Sequence, residues 1–321
     1  MKGRSPSQPA PAAGAKIDQA DGVMTDRSPQ VVSLDTILPA DMAKRAEQTG
    51  VSRAGMDTLS LFVLSTLAGA FISFGAIFAT TVGAGAISIA QTGAADAQAS
   101  LPYGVVRLLM AIVFSVGLLM VVIAGAELFT GNNMIVMAWA NGKVRTSALL
   151  RNWTICYFGN CFGALGTAAL MFLTTQYTFG GGAVGLAALS TAQAKASLGF
   201  VPALTLGIMC NALVCLAVWM CHAARTTVDR VVTIIPPIAA FVASGFEHSI
   251  ANVYFIPVAL FIKAGAPDSF WQAIGRRPAD FPNLTWTDFI ANLMPVTLGN
   301  IIGGSVMVAA VYWFVYLRKT A

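Results

Sequence analysis

The sequence predicts an all-α integral membrane protein whose six transmembrane helices form an inverted repeat of three plus three, with the second and fifth helices broken. Three observations carry this prediction. Of the 321 residues, 56% are hydrophobic and only 10% are charged, against roughly 25% charged in an average soluble domain. Six apolar runs follow one another, each near the ~20 residues that a helix needs to cross the hydrocarbon core. Two of those runs carry the same polar interruption, 120 residues apart. Thirty glycines and a mean hydropathy of +0.72 agree, because close backbone approach drives helix packing in lipid.

Residues 1–32 are rich in Pro, Ala, Ser and Gln and have no hydrophobic period, which predicts a disordered tail. The tail lacks the apolar core of a secretory signal, so insertion is expected to rely on the first span. Residues 33–50 predict a short amphipathic helix opened by Pro39. Leu34, Ile37, Leu38, Met42 and Ala46 gather on one side, and Asp41, Lys44, Arg45 and Glu47 mark the other. Residues 51–321 form the membrane domain, with spans expected over 59–81, 108–134, 153–173, 200–221, 231–262 and 293–317. Cations crowd the approach to the first run (Lys44, Arg45, Arg53), the second connection (Lys143, Arg145, Arg151), the fourth (Arg225, Arg230) and the end of the chain (Arg318, Lys319). The first connection has none and the third only Lys195, so the positive-inside rule places both termini in the cytoplasm.

The cations are dispersed and form no single basic face, which excludes nucleic acid as a partner. The five cysteines, Cys156, Cys161, Cys210, Cys215 and Cys221, lie in apolar stretches without CxxC spacing and read as packing residues. No metal site and no cofactor is expected, and no enzyme activity, since only one histidine lies within a span and the thiols have no ligand spacing.

The broken spans carry the functional signal. The second contains Gly125-Ala-Glu127-Leu-Phe-Thr130-Gly-Asn132 and the fifth Gly245-Phe-Glu247-His248-Ser-Ile-Ala-Asn252, both GxExxxxN. The third and sixth runs match as well, with Gly159-Asn160 and Gly163 against Gly299-Asn300 and Gly303. Three spans per half is an odd number, so the second copy crosses the bilayer in the opposite sense. Matched polar breaks point to a midplane substrate path, because irregular backbone at membrane depth is tolerated only in protein or along a cavity. Half-helix ends bring free N–H groups to such a path and suit an anion. Gly125, Glu127, Asn132, Gly245, Glu247 and Asn252 are expected to close the breaks structurally. His248, inside the fifth span, is a functional candidate by its position alone, whereas His222 at a helix end is expected to be solvated or capping.

The strings AELFTGN, CNALVCLAVWM, FVASGFEHSIAN and VTLGNIIGG resemble the formate/nitrite transporter family. With LPADMAKRAEQTGVSRAG and YWFVYLR they are most similar to its formate channel branch, from about residue 33 to 319. The resemblance implies an aquaporin-like protomer in a homopentamer of the inner membrane, with one pore per protomer. It implies that Asn211 hydrogen-bonds His248, that Thr130 faces the same space from the opposite loop, and that Lys195 draws anions to the mouth. Phe114, Leu118, Phe129 and Phe241 match apolar constrictions, which penalise a bare anion more than a neutral acid. The expected function is bidirectional formate transport, with pH-dependent, proton-coupled passage through the central histidine. A nitrite or hydrosulfide channel is the alternative within the family, acetate and related small anions being further substrates of the same chemistry. A cytoplasmic formate-metabolising enzyme is an expected contact of the N-terminal helix. A water or glycerol channel is a distant alternative, since neither half contains NPA.

Overall fold

The computed structural model describes residues 35–92 and 101–318; the tail expected over 1–32 lies outside them. Every regular element among the described residues is helical. Helix α1 (Pro39–Ala54) has proline in its first turn, Asp41 near its N-terminus and Arg53 in its last turn, each suited to the helix dipole. It buries Met42, Ala43, Ala46, Glu47, Gly50 and Ala54. Two expectations fail here. Leu38 stands 69% exposed, and Glu47 is buried, where Lys143 Nζ meets its carboxylate at 2.6 Å and Asn141 donates a second bond. The helix also runs past the expected boundary at 50.

Helix α2 (Thr58–Thr92) and α3 (Tyr103–Ala124) follow. The second span then breaks and resumes as α4 (Phe129–Asn132), a tight turn over Asn133–Ile135 and α5 (Val136–Ala140). Helix α6 (Thr146–Leu173) completes the first half. The third connection contains a helix, α7 (Ala183–Ala196), before α8 (Phe200–Cys221). The fifth run, expected as one interrupted span over 231–262, is two helices of 17 residues, α9 (Thr227–Ala243) and α10 (Ser249–Gly265). A Thr226–Asp229 capping box starts α9, and α10 bends by 113° into α11 (Asp268–Ile274). Helix α12 (Trp286–Ile301) continues through a π-helical stretch over Ile302–Ala310 into α13 (Val311–Tyr316). Five of these segments are long and apolar enough to cross a membrane unaided; the remaining crossing is divided at the fifth-span break.

The repeat reaches further than its motifs. Helices α2 and α8 begin at Thr58 and Phe200, and α6 and α12 at Thr146 and Trp286. Helices α1 and α7 end at Ala54 and Ala196, so the N-terminal helix is itself part of the first copy. Helix α2 packs on α3 and α6, α8 packs on α9 and α12, and the α3–α9 contact joins the halves. Both major crossings are backbone-close: a Cβ added at Gly163 would strike the Thr66 carbonyl, and one at Gly303 the Ile208 carbonyl. Such contact replaces the hydrophobic drive that lipid does not supply.

Candidate functional site

The two breaks are closed by the same set of bonds. Helix α3 ends on Gly125 at φ 80°, and α9 is followed by Gly245 at φ 76°, left-handed turns that a side chain would strain. Just beyond, Glu127 N–H donates to Leu64 O at 3.2 Å and Glu247 N–H to Leu206 O at 3.3 Å. Asn160 Nδ2 donates to Ser65 O (2.7 Å) and Glu127 O (2.9 Å), while its Oδ1 accepts from Phe129 N–H (2.8 Å). In the other half Asn300 Nδ2 donates to Gly207 O (2.8 Å) and Glu247 O (3.0 Å), and its Oδ1 accepts from Ser249 N–H (2.9 Å). Asn132 Nδ2 donates to Glu127 and Asn152, as Asn252 Nδ2 does to Glu247 and Asn292. Glu127 meets Arg53 Nε at 3.2 Å and Glu247 meets Lys195 Nζ at 2.7 Å. Backbone groups freed by each break therefore find partners, as membrane depth requires.

The breaks differ in the residues they leave over. Leu128 in one corresponds to His248 in the other, and Thr130 to Ile250. His248 is 3% exposed and caps α10, its Nδ1 accepting from Ala251 N–H at 3.1 Å. An accepting Nδ1 assigns the neutral ring's proton to Nε2. Nε2 lies 3.0 Å from Thr130 Oγ1 on the opposite break, so Nε2–H donates there and the hydroxyl keeps its own proton to offer. Phe241 stacks on the imidazole at 6.1 Å between centroids and meets Phe114 edge-on at 5.8 Å.

Two chambers lead to this contact from opposite sides. The first, about 250 Å³, lies beside α1 and is lined by Thr49, Arg53, Leu118, Glu127, Gly131, His222 and Arg230. The second, about 410 Å³, is lined by Arg107, Phe114, Ser190, Thr191, Lys195, Phe241, Glu247 and His248. Leu118 in the wall of the first and Phe114 in the wall of the second stand one turn apart on α3; His248 lines the second chamber, and Thr130, fully buried behind it, lines neither. His222 is the C-cap residue of α8 and partly buried; burial, then the nearby Arg53, Arg45 and Arg230, push it down to about 4.

Residues 40–314 match the family model described as Formate/nitrite transporter. The chain belongs to the formate/nitrite transporter family. The formate channel FocA of Escherichia coli (strain K12) is 44% identical over 286 residues, 89% of this chain and 96% of that protein. Formate channel FocA of Haemophilus influenzae is 38% identical, over 91% of this chain and 98% of the relative. A solved structure described as a pentameric formate channel with formate bound superposes with a TM-score of 0.73 at 45% identity, covering 81% of this chain and 98% of the other. This formate/nitrite transporter is accordingly a multi-pass membrane protein of channel-type fold.

Within that fold, the structure brings His248 and Thr130 together but places other candidates differently. Asn211 Nδ2 donates to Asn133 Oδ1 (2.9 Å), Thr130 O (3.3 Å) and Asn300 O (2.6 Å). None of these is the imidazole; Asn211 fastens the backbone on both sides of it. The Lys195 side chain is 16% exposed and its ammonium is paired with Glu247, which cancels most of the field it would project from the mouth. Phe129 is buried edge-on against Trp153 and Tyr157 and lines neither chamber. Sequence reasoning missed Arg53, Asn152 and Asn292 as members of the breaks, although the 140-residue offset that relates Asn160 to Asn300 also relates Asn152 to Asn292.

Proposed function

We propose that this chain forms a homopentameric formate channel of the inner membrane, with a pore through each protomer and both termini in the cytoplasm. The observation that carries the reading is the Thr130–His248 contact at 3.0 Å, held by matched breaks, with His248 in the wall of the second chamber. The Thr130 hydroxyl, relieved of donating to the ring, offers a hydrogen bond to a carboxylate oxygen arriving from either side. The apolar collar of Leu118, Phe114 and Phe241 makes a bare anion costly there. With the ring neutral, formate crosses as the anion. When the ring takes a second proton, on Nδ1, that N–H faces Ala251 N–H and the α10 cap is lost; transfer of Nε2–H to formate gives formic acid and leaves the Nδ1–H tautomer, and the cap returns once the ring's remaining proton is back on Nε2. Proton-coupled passage is thereby linked to the first turn of α10. Glu127 and Glu247 hold the breaks and stay outside the transfer.

The test is flux of formate, nitrite and chloride into proteoliposomes across external pH, for wild type and His248→Asn. Fast formate uptake that rises at acid pH in wild type and loses that dependence in the variant supports the reading. An unchanged pH response assigns His248 a structural part alone. Chloride passing as readily as formate makes the pore a general anion channel, and nitrite passing faster makes it a nitrite channel.

A further inference from the structure

Lys195 and Arg53, the cations paired with the break glutamates, are each matched by a carboxylate, yet among the described residues that line them both chambers keep one positive charge. In the second chamber Arg107 and Lys195 face Glu247 alone, and in the first Arg53 and Arg230 face Glu127 alone. Among the described residues Arg107 has no acidic partner. Its Nε donates to Ala243 O at 3.2 Å and its Nη2 to Val242 O, both neutral carbonyls at the end of α9, so the full charge remains. These bonds also fix it over the break, where a Cβ added at Gly245 would lie 3.4 Å from Nη2. Arg230, exposed near the start of α9, lines the first chamber, and among the described residues it has no ion-pair partner. Arg107 of α3 thus sits at the α9 break, and Arg230 of α9 stands in the wall of the chamber on the α3 side.

We propose that Arg107 and Arg230, one per chamber, are the charges that collect carboxylate anions and exclude cations, while Lys195 and Arg53 serve the breaks. The inference rests on the channel reading and names residues that set its anion preference. A single charge in a low-dielectric vestibule raises the local anion concentration through a field that salt screens, with a Debye length of about 10 Å at 0.1 M. Arg107 should therefore govern how influx through its mouth depends on ionic strength, and Arg230 the same for the opposite direction.

Formate flux is measured in both directions in proteoliposomes of known protein orientation, at low and high potassium gluconate, for wild type, Arg107→Gln, Arg107→Lys and Arg230→Gln. Wild-type flux should fall severalfold with salt. Arg107→Gln should be roughly three- to tenfold slower at low salt through its own mouth and lose most of the salt dependence, while Arg107→Lys keeps both. Arg230→Gln should do the same for the other mouth; it breaks no side-chain hydrogen bond or ion pair among the described residues and decides the matter if Arg107→Gln does not assemble. Wild-type rates and salt slopes in both glutamine variants overturn the inference and leave the channel reading standing. Absence of formate flux in wild type overturns both.

Discussion

Replacing Glu247 by Gln separates a structural carboxylate from one that serves transport. Glu247 accepts from Lys195 Nζ on one oxygen and from Asn252 Nδ2 on the other, so both partners are donors. A glutamine offers one acceptor and one donor, and its NH₂ must face either the ammonium or the Asn252 amide. The Lys195 side chain is 16% exposed, so the stranded charge has little access to water. Breaking such a pair from one side costs about 2–4 kcal/mol, combining the lost charge-assisted bond with an uncompensated buried cation. At roughly 2–4 °C per kcal/mol for a domain of 150–250 residues, thermal unfolding in detergent should fall on the order of 5–10 °C. Adding Lys195→Met should return part of that loss, because the orphaned charge leaves with its partner. Glu127→Gln should cost less, since Arg53 is 27% exposed at 3.2 Å and also donates to Asn132 Oδ1. Formate-over-chloride preference should survive in every folded variant. A Glu247→Gln protein as stable as wild type but without formate flux would refute the structural assignment and put the carboxylate in the permeation path.

Gly163→Ala and Gly303→Ala should each destabilise by about 1–3 kcal/mol through overpacking against backbone, whereas Gly166→Ala in the same α6, with nothing within 4 Å, should be neutral or slightly stabilising; thermal unfolding of the three reads this directly. His222 titrates at about 4 in the fold against 6.5 ordinarily, so the unfolded chain binds the proton first, and stability held above pH 6.5 is lost as pH falls towards 4, by about 3 kcal/mol at most. His222→Gln should flatten that part of a stability-versus-pH curve. Moving the histidine across the repeat, with Leu128→His and His248→Leu together, should abolish pH-dependent formate flux, since the residue matching Thr130 is then Ile250; adding Thr130→Ile and Ile250→Thr should restore part of it.

The six runs, the broken second and fifth spans and the GxExxxxN pair were legible because lipid makes every polar interruption conspicuous. His248 was legible for the same reason. Helix α7 was not, because Ala183–Ala196 is a weakly polar segment between spans whose counterpart, α1, reads by itself as a separate amphipathic helix. Extending the offset of 142 residues upstream from Leu64 and Leu206 relates Arg53 to Lys195 and would have found both α7 and the two ion pairs. Glu47 was misplaced because periodicity assigns it to a polar side, while the partner that permits its burial, Lys143, lies 96 residues away. Phe129 is buried whichever way its ring turns, and only the positions of Trp153 and Tyr157 decide the direction. The π-helical stretch after α12 leaves no periodic signature, since each registered bond differs by a single residue.

The repeat explains why a chemical site can sit inside a membrane without endangering the fold. The bonds of Asn160 and Asn300, those of Asn132 and Asn252, and the two glutamate–cation pairs occur twice, on asparagines and glutamates common to both halves. The Thr130–His248 contact, proposed above as the station for a permeant anion, occurs once. Symmetry relates the Thr130–His248 contact to the pair Leu128 and Ile250, both buried in the same apolar core. A fully symmetric pore would hold either two polar contacts, with twice the cost of buried polar groups, or none, and then nothing to exchange a proton. One polar contact set against one apolar counterpart gives a single hydrogen-bonding station in a dry constriction. On the proposed reading, selectivity changes at positions 128, 130, 248 and 250 while the scaffold of asparagines, glutamates and glycines that holds the helices broken stays as it is.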